Sequence, residues 1–130
     1  FVSDILPEKI QPIKKTIPRK GQPVIIRTAD ARSLNKLEDS FIDKVVTDPP
    51  WGLFDRSIKD ISGFYEEILQ EMCRVVKPGG IIVMLAGQRE LITKISSDFS
   101  KKLVLERRFD ILASGKKATV VKWRRSNVPQ

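Results

Sequence analysis

An α/β fold, with a mostly parallel sheet, helices on both faces and a C-terminal antiparallel hairpin, is what the order of segments in this 130-residue chain predicts. Short apolar runs alternate with segments of helical periodicity. Val24-Ile25-Ile26 is continuously apolar, as in a parallel strand covered on both sides. The last two strand-like stretches are joined by a short glycine-containing turn, the pattern of a hairpin.

Phe1-Val2-Ser3-Asp4 reads as the end of a strand, and Leu6 to Lys15 as a short helix closed off by Pro18 and the Gly21-Gln22-Pro23 turn. Val24-Ile25-Ile26 is the next strand, ending at Thr28-Ala29-Asp30. Ala31 to Leu37 forms a brief helix or turn, and Lys44 to Thr47 a third strand. Ser62 opens a helix with Phe64, Ile68, Met72 and Val75 at near-helical spacing; Leu69 and Val76 widen the stripe. Each of the first four contributes about 1.5–3 kcal/mol on burial, before entropy. Lys77-Pro78-Gly79-Gly80 stops this helix, Ile81 to Leu85 is a buried strand, and Leu91, Ile92, Ile95 and Phe99 mark a further helix. Leu103 to Leu112 and Ala118 to Trp123 are the hairpin strands, joined by Ser114-Gly115-Lys116-Lys117; the sheet is expected to hold about six strands.

The size fits one domain. The longest apolar run, Ile81 to Ala86, is far short of the roughly 20 residues of a membrane span, and no secretory leader pattern opens the chain. Phe1 in place of methionine suggests a segment cut from a longer protein. A formal charge of +8 and a pI of about 9.8 favour a polyanionic partner such as nucleic acid, with a solvated lysine-rich surface as the equal alternative. The basic residues cluster early (Lys14, Lys15, Arg19, Lys20) and late (Lys116, Lys117, Lys122, Arg124, Arg125). A single cysteine, Cys73, excludes an internal disulfide and a cysteine-rich zinc site, and the lack of histidine excludes a histidine-based triad or an imidazole base. No metal and no membrane partner are expected. The compartment expected is cytoplasmic, or nuclear in a eukaryote.

Asp48-Pro49-Pro50-Trp51 carries the most chemistry. It puts a carboxylate, a proline-fixed backbone and an aromatic face at the carboxyl end of a strand, the edge where open α/β sheets bind ligands. The two prolines remove two backbone donors, which leaves carbonyls to accept from a ligand. Acceptors beside a stacking platform suit a planar base with an exocyclic amine. The plainer reading is a proline turn with Trp51 in the core.

This order of motifs resembles the class I, S-adenosylmethionine-dependent methyltransferases over essentially the whole chain, with their Rossmann-like fold. Thr47-Asp48-Pro49-Pro50-Trp51-Gly52 is similar to the amino-methyltransferase motif acting on exocyclic base nitrogens. The tail Asp110-Ile111-Leu112-Ala113-Ser114-Gly115-Lys116-Lys117-Ala118 resembles the end of the THUMP-linked guanine-N2 RNA (tRNA) methyltransferases. The resemblance makes Asp4 the acceptor for the cofactor ribose hydroxyls and Ile5 the cover of the adenine. Asp30 becomes the acceptor for the adenine amine, and Ala31 supplies a backbone donor. A helix N-cap is the ordinary alternative for each aspartate. Asp48, Pro49, Pro50 and Trp51 become the catalytic set, with Asp48 also beside the cofactor. Trp51, Gly52, Asp55 and Arg56 become the substrate set, Asp55 and Arg56 being equally readable as an exposed ion pair. If Asp48 and the Pro49 carbonyl accept the amine hydrogens, the nitrogen lone pair is freed to attack the methyl. Trp51 would stack on the base, worth roughly 1–3 kcal/mol.

One departure stands out. The family's first strand and glycine-rich cofactor loop have no counterpart here, so residues 1–126 resemble the C-terminal two-thirds of a catalytic domain, N-terminally truncated, with 127–130 a tail. That strand is central in the family's sheet, between the strands ending at Asp4 and Thr47. The expected function is methyl transfer to guanosine N2 in tRNA or another structured RNA; these 130 residues alone are expected to be inactive. The alternatives are an adenine-N6 methyltransferase on DNA or RNA and a non-catalytic RNA- or protein-binding fragment. RNA is the expected partner, and the resemblance adds a small activating protein subunit.

Overall fold

The computed structural model describes residues 1–17, 21, 23–52 and 58–127. Its strands form two separate sheets where one continuous sheet was expected. In chain order the elements are β1 (Val2–Asp4), α1 (Pro7–Thr16), β2 (Ile26–Thr28), β3 (Ile42–Thr47), α2 (Ile61–Val75), β4 (Val76–Ala86), α3 (Arg89–Asp98), β5 (Leu103–Ala113) and β6 (Lys116–Arg125).

β1 and β2 pair in parallel as a sheet of their own. β3, β4, β6 and β5 form a second sheet in that order, parallel between β3 and β4 and antiparallel thereafter. The six expected strands are present among the described residues, but no strand pairs with both β1 and β3. The sheet therefore divides at the place where the resemblance puts the absent strand. Val46, on β3, is 83% exposed.

α1 begins on Pro7, where a missing N–H costs nothing, and buries only Ile10, against β1 and β2. The strand expected at Val24 starts later, at Ile26, because its sole partner is the three-residue β1 with Val2 opposite Ile26.

α2 is capped by Asp60, whose carboxylate accepts from the Gly63 N–H at 3.0 Å. Its buried stripe is Tyr65, Ile68, Leu69, Met72, Cys73 and Val75. Phe64, expected in the core, is only partly buried; Tyr65 takes that position at 1% exposure. Burial raises the Cys73 thiol pKa to about 11.

The helix ends at Val75 without help from Lys77-Pro78-Gly79-Gly80, which instead bulges out of β4. Ile42 pairs with Val76 and Lys44 with Ile81, so the intervening four residues loop away from a nearly continuous partner. A Cβ on Gly80 would sit 2.8 Å from the Asp43 carbonyl oxygen, which explains the glycine.

α2 and α3 share one face of the four-stranded sheet, over Ile82, Met84, Val121 and Trp123, all 0% exposed. The Trp123 indole donates to the Ser96 hydroxyl on α3 at 3.1 Å. The hairpin turn is Ser114-Gly115 alone, both at positive φ (50° and 75°), as a two-residue type I′ loop requires; Lys116 and Lys117 belong to β6.

Candidate active site

The carboxyl ends of β1, β2 and β3 carry Asp4, Asp30 and Asp48. Pairing of Asp4 with Thr28, and the hydrogen bond from the Ala29 N–H to the Asp4 carbonyl at 3.0 Å, bring Asp4 and Asp30 to one edge of the small sheet. Each aspartate is also used locally. Asp4 accepts from the Leu6 N–H at 2.9 Å, two residues on in the turn before α1; the N-cap itself is Leu6, so Asp4 is not the helix cap. Ile5 between them is 55% exposed. Asp30 accepts from the Arg32 N–H at 2.9 Å and from its guanidinium at 2.7 and 3.1 Å. The Arg32 hydrogen bonds hold the Asp30 carboxyl below its usual range. Ala31 packs against the main core.

Asp48 accepts from the Trp51 indole Nε1 at 2.9 Å, a contact within the motif itself. One carboxylate oxygen is thus engaged. Pro49 is buried, and its carbonyl accepts from no described residue, whereas the Pro50 carbonyl is taken by the Tyr65 hydroxyl at 3.1 Å. Tyr65 is held neutral: burial first, then the Asp48 charge, raise its pKa far above the ordinary phenol value. The Gln88 amide donates to the Trp51 carbonyl at 3.0 Å. The indole lies against Gly87, where a Cβ would come within 2.7 Å of Trp51 Cε3. Gly52 turns the chain at φ 73°, a conformation that favours glycine.

Three elements therefore hold one acceptor segment: β3 delivers it, α2 fixes Pro50 through Tyr65, and the β4–α3 junction fixes Trp51 through Gly87 and Gln88. Asp55 and Arg56 lie outside the described residues, as do Arg19 and Lys20 of the early basic cluster. Sequence reasoning passed over Tyr65, Gln88 and Gly87. Tyr65 could have been found: with Ile61, Ile68, Leu69 and Met72 it completes a better 3–4 spaced stripe than Phe64 does.

An S-adenosylmethionine molecule fits this donor set in part. Asp4 keeps one oxygen beyond its single hydrogen bond, and a carboxylate offers about four acceptor sites. Asp30 has both oxygens covered by Arg32, which has to swing away before an adenine amine is accepted.

The family model UPF0020, described as an RMKL-like methyltransferase domain, matches residues 12–114. TrmN from Thermus thermophilus superposes with a TM-score of 0.63 at 22% identity, over 77% of this chain and 28% of that one. An S-adenosylmethionine-dependent methyltransferase from Methanosarcina mazei gives 0.67 at 15% identity, over 95% and 80%. The N-methyltransferase NodS from Bradyrhizobium japonicum, in complex with S-adenosylhomocysteine, gives 0.61 at 15% identity, over 95% and 64%. No curated protein matches the sequence. The chain spans little more than a quarter of the length of TrmN. Taken with the split α/β fold and the acceptor segment at its carboxyl edge, the match over most of its length shows that the chain belongs to the UPF0020 RMKL-like methyltransferase-domain family.

Proposed function

We propose that this chain is the substrate-side portion of an RNA methyltransferase acting on the exocyclic N2 amine of guanosine, in tRNA or another structured RNA. The observation that carries the reading is the fixed acceptor segment: the Asp48 carboxylate is followed by the Pro49 carbonyl, which accepts from no donor among the described residues, with Tyr65 and Gln88 locking the backbone on either side. An exocyclic amine offers two N–H donors, and a carboxylate plus a carbonyl accept both. Acceptance draws the lone pair out of conjugation and aims it at the methyl donor.

S-adenosylmethionine supplies an electrophilic methyl group and leaves as the neutral thioether. The Asp48 carboxylate holds the amine before transfer and takes up the proton lost from nitrogen afterwards. Trp51 gives the base a flat partner once its indole N–H exchanges Asp48 for the ligand. Asp4 holds the ribose hydroxyls. The basic charge and the tail motif at Asp110 to Ala118 favour RNA over a small-molecule amine. A small activating subunit remains part of this reading, as does a cytoplasmic or nuclear setting.

Mass spectrometry of nucleosides from cells lacking the full-length protein tests it. Loss of N2-methylguanosine is expected; loss of N6-methyladenosine would move the reading to the adenine enzyme. In the active full-length protein, Asp48→Ala is expected to lower turnover by on the order of 10²–10³ with folding intact. Unchanged turnover would remove the acceptor role.

A further inference from the structure

The β5–β6 hairpin reaches farther than the rest of its sheet, at the edge that carries Asp48. β4 ends at Ala86, opposite Thr119, whereas the pairs Ile111–Ala118, Leu112–Lys117 and Ala113–Lys116 continue past it to the turn. At about 3.3 Å per residue, the arm overruns β4 by roughly 10 Å. β3 and β4 are parallel with Thr47 level with Met84, so the Asp48–Trp51 segment leaves its strand at the same end.

The root of the arm is tied to the supports of that segment. Gln88 holds the Trp51 carbonyl, and the next residue, Arg89, pairs with Asp110 at 2.9 Å; Asp110 also accepts from the Thr119 hydroxyl at 2.9 Å. A two-stranded ribbon is marginal by itself. The ion pair and the 2%-exposed Thr119 give this one a definite position beside Trp51.

Its tip faces outward. Leu112 is 73% exposed, and Lys116 and Lys117, the latter directly opposite Leu112, are exposed too. Leu112 and Lys117 lie on one face of the ribbon and Lys116 on the other, so a nucleic-acid strand crossing the tip meets a cation on each face and an apolar side chain beside one of them: cations meet phosphates, and a leucine packs on a sugar or wedges against a base.

We propose that this arm grips the RNA next to the target nucleotide. Lys116 and Lys117 contact its phosphates, and Leu112 packs on the neighbouring sugar and base while the target base turns toward Asp48. This rests on the reading of the substrate as RNA.

The test is fluorescence anisotropy of a labelled single-stranded RNA titrated with the full chain across a salt series. Replacing Lys116 and Lys117 together by alanine is expected to lower the slope of log affinity against log salt by about 1.4, the value for two single-strand phosphates. The same exchange at Lys14 and Lys15, in the last turn of α1, is the matched control and is expected to leave the slope unchanged. Leu112→Ser is expected to weaken binding roughly tenfold at constant slope, the loss of one buried leucine side chain. All five residues are exposed, and thermal melts of each variant against the parent check that the fold is retained. Equal slope losses from the two lysine pairs, or an unaltered slope in the arm variant while the parent binds, would overturn the arm alone. A parent chain that binds no RNA would overturn the RNA reading itself.

Discussion

Alanine at Gly87 probes the packing of the candidate site most directly. The added Cβ would lie 2.7 Å from Trp51 Cε3 and 2.8 Å from its Cβ and Cδ2, against 3.4–4 Å for ordinary contact. The ring therefore has to retreat by at least about 0.7 Å, the difference between those limits. The backbone itself is no obstacle, because Gly87 does not sit at positive φ. A displacement of that size moves the indole Nε1 out of the position from which it donates to Asp48 at 2.9 Å. One charge-assisted hydrogen bond at an exposed carboxylate is worth about 1 kcal/mol, and overpacking adds about 1 more where a loop can give way. The expected loss is about 1–2 kcal/mol by urea unfolding. The chain has two tryptophans, so its spectrum holds two indole N–H resonances, with buried Trp123 as internal reference. In Gly87→Ala the Trp51 resonance should move from its parent position while that of Trp123 stays in place. Unchanged stability together with an unchanged Trp51 resonance would refute the close packing and the Asp48 contact alike.

Tyr65→Phe removes one hydroxyl donating to the Pro50 carbonyl and should cost about 1 kcal/mol; a loss too small to measure would mean water replaces the phenol without penalty. Glu71 is held below its ordinary pKa of 4.5, first by the Arg74 hydrogen bonds and then by the Leu34 N–H. A carboxyl with a depressed folded pKa stabilises above its unfolded value and loses that contribution as pH falls through the folded one. Glu71→Gln should therefore be the less stable protein near neutrality, with the gap closing below about pH 4; a pH-independent gap would sink the ion-pair account. Calorimetry of the chain with S-adenosylmethionine is expected to show binding weaker than micromolar, because these residues hold no counterpart of the glycine-rich loop on which the methionine end should rest, and micromolar binding would contradict this.

Local periodicity made the elements legible, since a stripe such as Ile68, Leu69 and Met72 has only one helical face to bury. Pairing was less so. Val24 and Ile25 look like strand, yet lie outside it because β1 offers only three partners. Lys77 to Gly80 look like a helix stop, yet the bulge follows from the register of β3 on β4, a long-range fact. In the site, the motif announced Asp48 and the prolines. Which carbonyl stays open was not readable, because Tyr65 reaches Pro50 across fifteen residues and only the packing of α2 on the sheet sets that approach. The Trp51–Asp48 bond is short-range, but it depends on the ring being pressed into place by Gly87.

The division of the sheet gives the candidate site two mechanical halves. Asp4 and Asp30 belong to a unit held by three strand pairs and α1, Asp48 to the main sheet. With no strand bridging them, their alignment falls to the segment between β2 and β3. Leu34 and Leu37 plug it into the core at 7% and 9% exposure. Arg74 gathers it from α2, donating to the Leu37 carbonyl at 2.9 Å, the Leu34 carbonyl at 3.2 Å and Asp39 at 2.6 Å, while Glu71 accepts from the Leu34 N–H at 2.6 Å. Arg32 completes the connection, its guanidinium 5.3 Å from the Phe64 ring centroid and 3.5 Å from Glu67. The same Arg32 covers Asp30. Under the role proposed for Asp30, freeing it for a ligand loosens one of the ties that align the two halves, and binding there is expected to be coupled to the geometry at Asp48.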